Sequence, residues 1–301
     1  MRHLLLWLTF ISLSAVSLNA WSFSCRTYDN TVIPIGGGSA DVRVNLAPRV
    51  ELGQNLVVDL TNQIFCHNDF PETMTDYVTL ESGSAFGGAL INFAGSIKYS
   101  GSTYSFPMTS ESRAIIYDSF SEKGWPTTLY LTPMSTAGGV AISAGSLVAK
   151  IILHQTNNIN SDSFRFQWNI YANNSVVVPT GGCDVSARNV TVTLPDYPGS
   201  AAIPLSIYCV QNQKISFYLT GTTADINRTI FVNTSTDTAA KNVGIQLSRS
   251  GSVLRTNEAI ALNTVGTSPA SLGLTATYAR TGGQVTAGNL KSIISLNFIY
   301  D

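Results

Sequence analysis

The chain has 301 residues, of which 17 are Lys or Arg and 18 are Asp or Glu, so charged residues make up only 12% of it. With no basic run and a near-zero balance, it lacks the electrostatic footprint of a nucleic-acid binder or of a protein held on an anionic membrane, so any partner is neutral or locally complementary. A hydrophobic share of 44%, together with abundant Gly, Ser, Thr and Asn, describes a folded, strand-rich extracellular protein and excludes a disordered or mainly helical one.

In chain order, Arg2 precedes an apolar run over residues 4–16 and a mixed, partly small stretch over residues 17–22. This is the three-part layout of a secretory signal, too short to stay in a bilayer. Cutting after Ser22 puts Ala20 and Ser22 at the two small-residue positions, whereas cutting after Ala20 would put bulky Leu18 in one of them. Residues 1–22 are therefore expected to be removed, leaving Phe23 as a free N-terminus with a cationic amine. About 280 residues remain, which suits two domains better than one. No later segment is long and apolar enough to span a membrane.

The four cysteines, Cys25, Cys66, Cys183 and Cys209, allow three connectivities. Export favours oxidation, and the long cysteine-free middle separates an early pair from a late one, so Cys25–Cys66 and Cys183–Cys209 are expected. Each bridge is worth roughly 3 to 4 kcal/mol on the chain-entropy model. A metal site competes with this reading but lacks a close Cys pair, and His67 and His154 lie on different segments, so no metal is expected.

Between the glycine turns Gly36-Gly37-Gly38, Gly83 to Gly88, Gly138-Gly139 and Gly282-Gly283, short alternating runs predict strands and no helix of three turns. The loop from Cys66 to Asp76 and the loop from Gln155 to Asp162 are dense in Asp, Asn and Gln. These groups supply the mixed donors and acceptors that sugar hydroxyls require, although plain solvated turns have the same composition. From Ser163 to Tyr171, Phe164, Phe166, Trp168 and Ile170 alternate with polar neighbours, predicting a half-buried strand. Val178-Pro179-Thr180-Gly181-Gly182 reads as a short linker. Beyond it, alternation predicts strands at Val190, Val192 and Leu194, at Ile215, Phe217 and Leu219, and at Leu272, Leu274, Ala276 and Tyr278. The chain closes on Ile294, Leu296, Phe298 and Tyr300, an apolar face on a terminal strand, which is either covered within its own domain or completed by a strand from a partner. The pattern is that of two β-sandwiches or open barrels.

No catalytic set is complete. Asp76 and Asp162 are candidates for a glycosidase pair and His67 could pair with Asp69, but no serine sits in a Gly-x-Ser-x-Gly elbow and Gly36 to Gly38 lacks a phosphate-binding continuation. The Asn-x-Ser/Thr matches at Asn173, Asn189, Asn227 and Asn233 are slight hints of surface loops. Neither catalysis nor a cofactor is expected.

Several stretches carry a resemblance: Phe23-Ser24-Cys25, the run from Ile33 to Ala40, the run from Gln63 to Asp69, Leu129-Tyr130-Leu131-Thr132-Pro133, the run from Trp168 to Asn173 and the run from Val178 to Asp184. Over the whole mature chain the sequence resembles the mannose-specific tip adhesins of type 1 fimbriae, in the chaperone-usher pilus adhesin family. The resemblance implies a jelly-roll-like lectin domain over residues 23–179 and an incomplete immunoglobulin-like pilin domain over residues 180–301. A periplasmic chaperone and then the next fimbrial tip subunit would donate the missing strand beside Ile294, Leu296, Phe298 and Tyr300, with an outer-membrane usher handling export. The implied mannose pocket is the Phe23 amine, Asn68, Asp69, Asp76, Gln155, Asn157 and Asp162, with Ile35, Phe70, Met74, Ile159 and Phe164 on its rim. The sequence departs from the family at Phe70 and Ile159, where tyrosines form a gate, and at Met74, where isoleucine is usual. Asn30 stands in place of a glycine, and Asn tolerates left-handed backbone better than most residues. The implied function is adhesion at the fimbrium tip through terminal D-mannose on host glycoproteins, with inter-domain allosteric control of affinity. The alternative is a structural tip subunit with lost or altered sugar specificity.

Overall fold

A computed structural model describes residues 22–33, 36–134, 138–159 and 163–300. The expected signal segment up to residue 21, Ile35, Asp162 and Asp301 lie outside the described residues. Among the described residues the regular structure is strand apart from one 3-10 turn, Gly88–Leu90. This is the all-β architecture that short alternating runs broken by glycine predict.

Two hydrophobic cores are built from separate stretches of chain, the first from Phe23 to Val178 and the second from Cys183 to Ala276. In the first, the long strands Leu147–Asn157 and Ser163–Ala172 pair antiparallel at the centre of a sheet. That sheet extends through Asp76–Leu80 to Ile115–Tyr117 on one side and, in parallel, to Gly38–Val44 on the other. Phe166, Trp168 and Ile170 point inward as their alternation predicts, and Trp168 meets Trp125 edge to face with ring centroids 4.8 Å apart. Such pairs add to area burial the attraction of a ring edge for a ring face.

A smaller sheet of the same domain carries Phe23–Thr27 between Ile64–Asn68 and Val32–Ile33. Cys25 and Cys66 are register partners and are bonded to each other, so the disulfide also fixes Phe23 opposite Asn68 on the same ladder. Asn30, in the turn that follows, has φ 65°, the left-handed conformation that Asn accepts.

The second domain is less complete. Cys183 and Cys209 are bonded register partners, and Gln213–Thr220 lies between Ile260–Val265 and the terminal strand Ser295–Tyr300. On its other side Ser295–Tyr300 pairs with no described strand, and Leu296, Phe298 and Tyr300 stay only partly buried. The alternating residues Val190, Val192 and Leu194 were expected to form a strand, but the segment belongs to none. Alternation reports which side chains turn inward, and here Val190 and Leu194 do pack on the core. A strand also needs a neighbouring backbone, which this segment lacks among the described residues.

Candidate functional site

The two polar loops converge at one end of the first domain. Asp76 opens the strand Asp76–Leu80 and is the register partner of Asn157 at the end of Leu147–Asn157, with Gln155 two residues back on the same face. Gln155 Nε2 donates to Asp76 Oδ1 at 2.8 Å. Both side chains are buried, and the second carboxylate oxygen, Asp76 Oδ2, is buried with no partner among the described residues. Burial pushes the Asp76 carboxyl above its ordinary value. Hydrogen bonds from Ser22 and Gln155 oppose that rise, and nearby Asp69 adds to it.

The ladder between Phe23–Thr27 and Ile64–Asn68 brings in the rest. Asn68 is buried, and its amide donates to the carbonyls of Met74 and Tyr117, both at 2.9 Å, while its Oδ1 accepts from the Phe70 N–H at 2.7 Å. One donor and Oδ1 thus hold the loop that carries Phe70 and Met74, the other donor ties that loop to Tyr117, and Oδ1 keeps a second acceptor lone pair. Asp69 accepts from the Ser24 hydroxyl and sits 3.0 Å from His67 Nε2. Phe23 buries its ring against Tyr117, centroids 4.9 Å apart. Across the mouth, Asn158 Oδ1 accepts from the Thr75 N–H at 2.7 Å, and Asn157 Oδ1 accepts from the Ile159 N–H at 2.9 Å.

Phe70 and Ile159 stand exposed on either loop, at 44% and 62% of their free surface, with Met74 and Phe164 half-buried. Phe23, Asn68, Asp69, Asp76, Gln155 and Asn157 are therefore gathered within one set of ladders and loops; Asp162 and Ile35 fall outside the described residues. Sequence reading missed Ser24, Tyr117 and Asn158. An Asn doublet at 157 and 158 marks the last of these; Tyr117 lies on a three-residue strand too short to show a period.

It also missed Ser22, which reading assigned to the removed segment. In the intact chain Ser22 is buried in this site. Its hydroxyl donates to Asp76 Oδ1 and accepts from Gln155 Nε2 at 3.3 Å, and its carbonyl accepts from the Asp69 N–H at 2.6 Å. An aliphatic hydroxyl flanked by a carboxylate and a primary amide is how a sugar hydroxyl is held, since each hydroxyl both gives and takes a hydrogen bond.

Elsewhere on this domain Glu81, Glu111 and His154 bring three ligand-type atoms within 4.8 Å of one another. Arg165 Nε already lies 3.0 Å from each oxygen of Glu81, so the group reads as an ion-pair network.

Residues 25–169 match a family model described as FimH, mannose binding, and residues 170–301 match one described as Fimbrial protein. The chain is 65% identical over 284 residues to the type 1 fimbrin D-mannose specific adhesin of Escherichia coli (strain K12), covering 94% of this chain and 95% of that protein. It is 32% identical over 300 residues to the S-fimbrial protein subunit SfaH of Escherichia coli O6:K15:H31 (strain 536 / UPEC), covering 95% of this chain and 100% of that one.

Proposed function

From a chain that belongs to the FimH family of fimbrial adhesins, a family of adhesins and not of enzymes, we propose a tip lectin that binds terminal D-mannose on host-cell glycoproteins. The observation that carries the proposal is the state of Asp76: one oxygen bonded by Gln155 and a serine hydroxyl, the other buried without a partner among the described residues. Holding acceptor capacity out of water costs folding free energy, and a ligand with adjacent hydroxyls recovers it. Removal of residues 1–22 vacates the seat of Ser22 and leaves the Phe23 amine beside Asp76 and Asp69, where a cation offsets two carboxylates. Asp162 and Ile35 complete the proposed set on the family pattern.

The loop residues Phe70, Met74, Ile159 and Phe164 cover the apolar C–H faces of the sugar. Without the two tyrosines, aryl or extended mannosides gain less here than in gated relatives. The domain boundary is proposed at residues 179 and 180. In this reading the second domain is the pilin unit, and the edge of Ser295–Tyr300 that pairs with no described strand accepts a strand from a periplasmic chaperone and then from the next tip subunit, with an outer-membrane usher handling export.

Binding to a mannoside array, with yeast agglutination reversed by free mannose, tests the proposal. A folded protein that binds no mannoside is a structural tip subunit, or one of altered sugar specificity.

A further inference from the structure

Asp69 differs from the other acid of the pocket in that both of its carboxylate oxygens already have a donor. The Ser24 hydroxyl donates to Oδ2, and His67 Nε2 lies 3.0 Å from Oδ1. Nε2 donates in this contact, since an ionised carboxylate can only accept. Ser24 and His67 are register partners on the ladder between Phe23–Thr27 and Ile64–Asn68, so strand pairing sets the two donors side by side.

The ring that makes this bond is itself boxed in. Lys123 is the register partner of Cys66, which brings Glu122 opposite His67, and Glu122 Oε1 stands 4.0 Å from Nδ1. Arg26 fixes Glu122 in turn, its Nε donating to Oε1 at 2.7 Å and one terminal nitrogen donating to Oε2. The other terminal nitrogen donates to Asn30 Oδ1 at 2.9 Å, and the guanidinium lies over the Phe65 ring, 4.9 Å from its centroid. A forked pair of this kind fixes direction as well as distance. The bond from Arg26 holds the Glu122 carboxyl below its ordinary value; burial opposes this, and Arg26 and then His67 add to it electrostatically. Nδ1 of His67 is buried with no hydrogen-bond partner, so among the described residues the ring has Asp69 alone to bond.

We propose that His67 is a positioning residue of the sugar site: donating to Oδ1 while Ser24 holds Oδ2, it fixes the direction in which the Asp69 carboxylate offers its remaining lone pairs to a ligand hydroxyl. The imidazole itself does not touch the sugar. Asp69 follows the end of Ile64–Asn68 and is half-buried. Released from these grips, its side chain would sample several rotamers and a ligand would have to select one. The role rests on the mannose-binding reading given above.

Calorimetric titration of the full chain that starts at Phe23, with methyl mannoside and its monodeoxy analogues, tests it. In His67→Ala, affinity for methyl mannoside falls about three- to tenfold, the cost of ordering one more side chain on binding. His67→Gln, whose terminal amide nitrogen stands where Nε2 stood, recovers most of that loss. The loss is confined to the hydroxyl that Asp69 holds: the deoxy analogue that Asp69→Ala does not weaken is also untouched by His67→Ala. Should His67→Ala melt early, His67→Leu refills the space without a donor and carries the same comparison. Equal weakening of every analogue means that the substitution acts through the fold, and it overturns the role. So does unchanged affinity without the imidazole, or a His67→Gln no better than His67→Ala. In these cases the unaltered chain still binds and the mannose-binding reading stands. An unaltered chain that binds no mannoside sinks that reading, and the positioning role with it.

Discussion

Gln155 Nε2 lies 2.8 Å from Asp76 Oδ1, across two paired strands, and the amide and carboxylate are both shut off from solvent. Asp76→Asn keeps the shape of this pair and removes the charge that strengthens its hydrogen bonds. Mannose affinity should fall by roughly 1.5 to 3 kcal/mol, with the fold intact and thermal stability equal or higher, since an ion held out of water has been neutralised. Calorimetric titration beside a thermal melt reads both. Unchanged affinity in a folded variant removes Asp76 from the site.

The same burial sets a pH dependence. With its folded-state pKa raised above the ordinary 3.8, Asp76 keeps its proton in the native protein at pH values where the unfolded chain has released it. The resulting stability contribution is largest at low pH and declines as pH rises through the interval between the two values. Sugar affinity moves the other way, because the carboxylate is the stronger acceptor. Lowering the pH from about 7 should therefore weaken mannose binding by the form that starts at Phe23, and Asp76→Asn should show no such step. An equal loss in Asp76→Asn would assign the step to another group.

Retaining one residue should abolish binding. A chain that starts at Ser22 keeps a hydroxyl on Asp76 and Gln155 and displaces the terminal charge by about 3.5 Å, beyond hydrogen-bond reach of its former partners. Both forms should be folded by circular dichroism, with only the form starting at Phe23 titrating with mannose. Equal affinity would remove the N-terminus from the pocket.

The mouth should accept its missing phenols. In Phe70→Tyr combined with Ile159→Tyr, affinity for an aryl mannoside should rise by roughly 0.5 to 1.5 kcal/mol, the worth of an aromatic pair, while affinity for methyl mannoside changes little. Equal gains for both ligands would place these side chains against the sugar ring.

Residues 180–301 alone should aggregate or be digested, because the flanks of the second core remain half-buried. A peptide of alternating apolar residues should rescue them and raise their Tm. A monomeric, cooperatively melting fragment indifferent to the peptide would mean that this fold is already complete.

The strand Ser163–Ala172 was legible in the sequence because the inward positions Phe164, Phe166, Trp168 and Ile170 carry large apolar side chains and the positions between them polar or amphipathic groups. The same rule misread residues 190–194, where alternation exists without a neighbouring backbone. The acids and amides of the site were legible as composition, but the bond between Gln155 and Asp76 spans 79 residues of sequence and follows from strand pairing that no local pattern records. Asn55, fully buried, drew no notice because one amide ahead of the apolar run Leu56-Val57-Val58 looks like a strand end. Its two acceptors, the carbonyls of Pro179 and Gly181, lie more than 120 residues further on.

The parallel pairing of Ser163–Ala172 with Gly38–Val44 has a consequence for biogenesis. Asn169 donates to Asp41, 128 positions earlier in the chain, so the central sheet closes only when nearly the whole first domain is available. In a chain emerging amino end first, the early strands wait with their apolar faces uncovered until the last arrives. Loop closure of that length makes assembly slow and leaves the waiting strands open to aggregation. The time between emergence and closure is thus a window of vulnerability written into the topology, and it lasts until the strand Ser163–Ala172 has emerged.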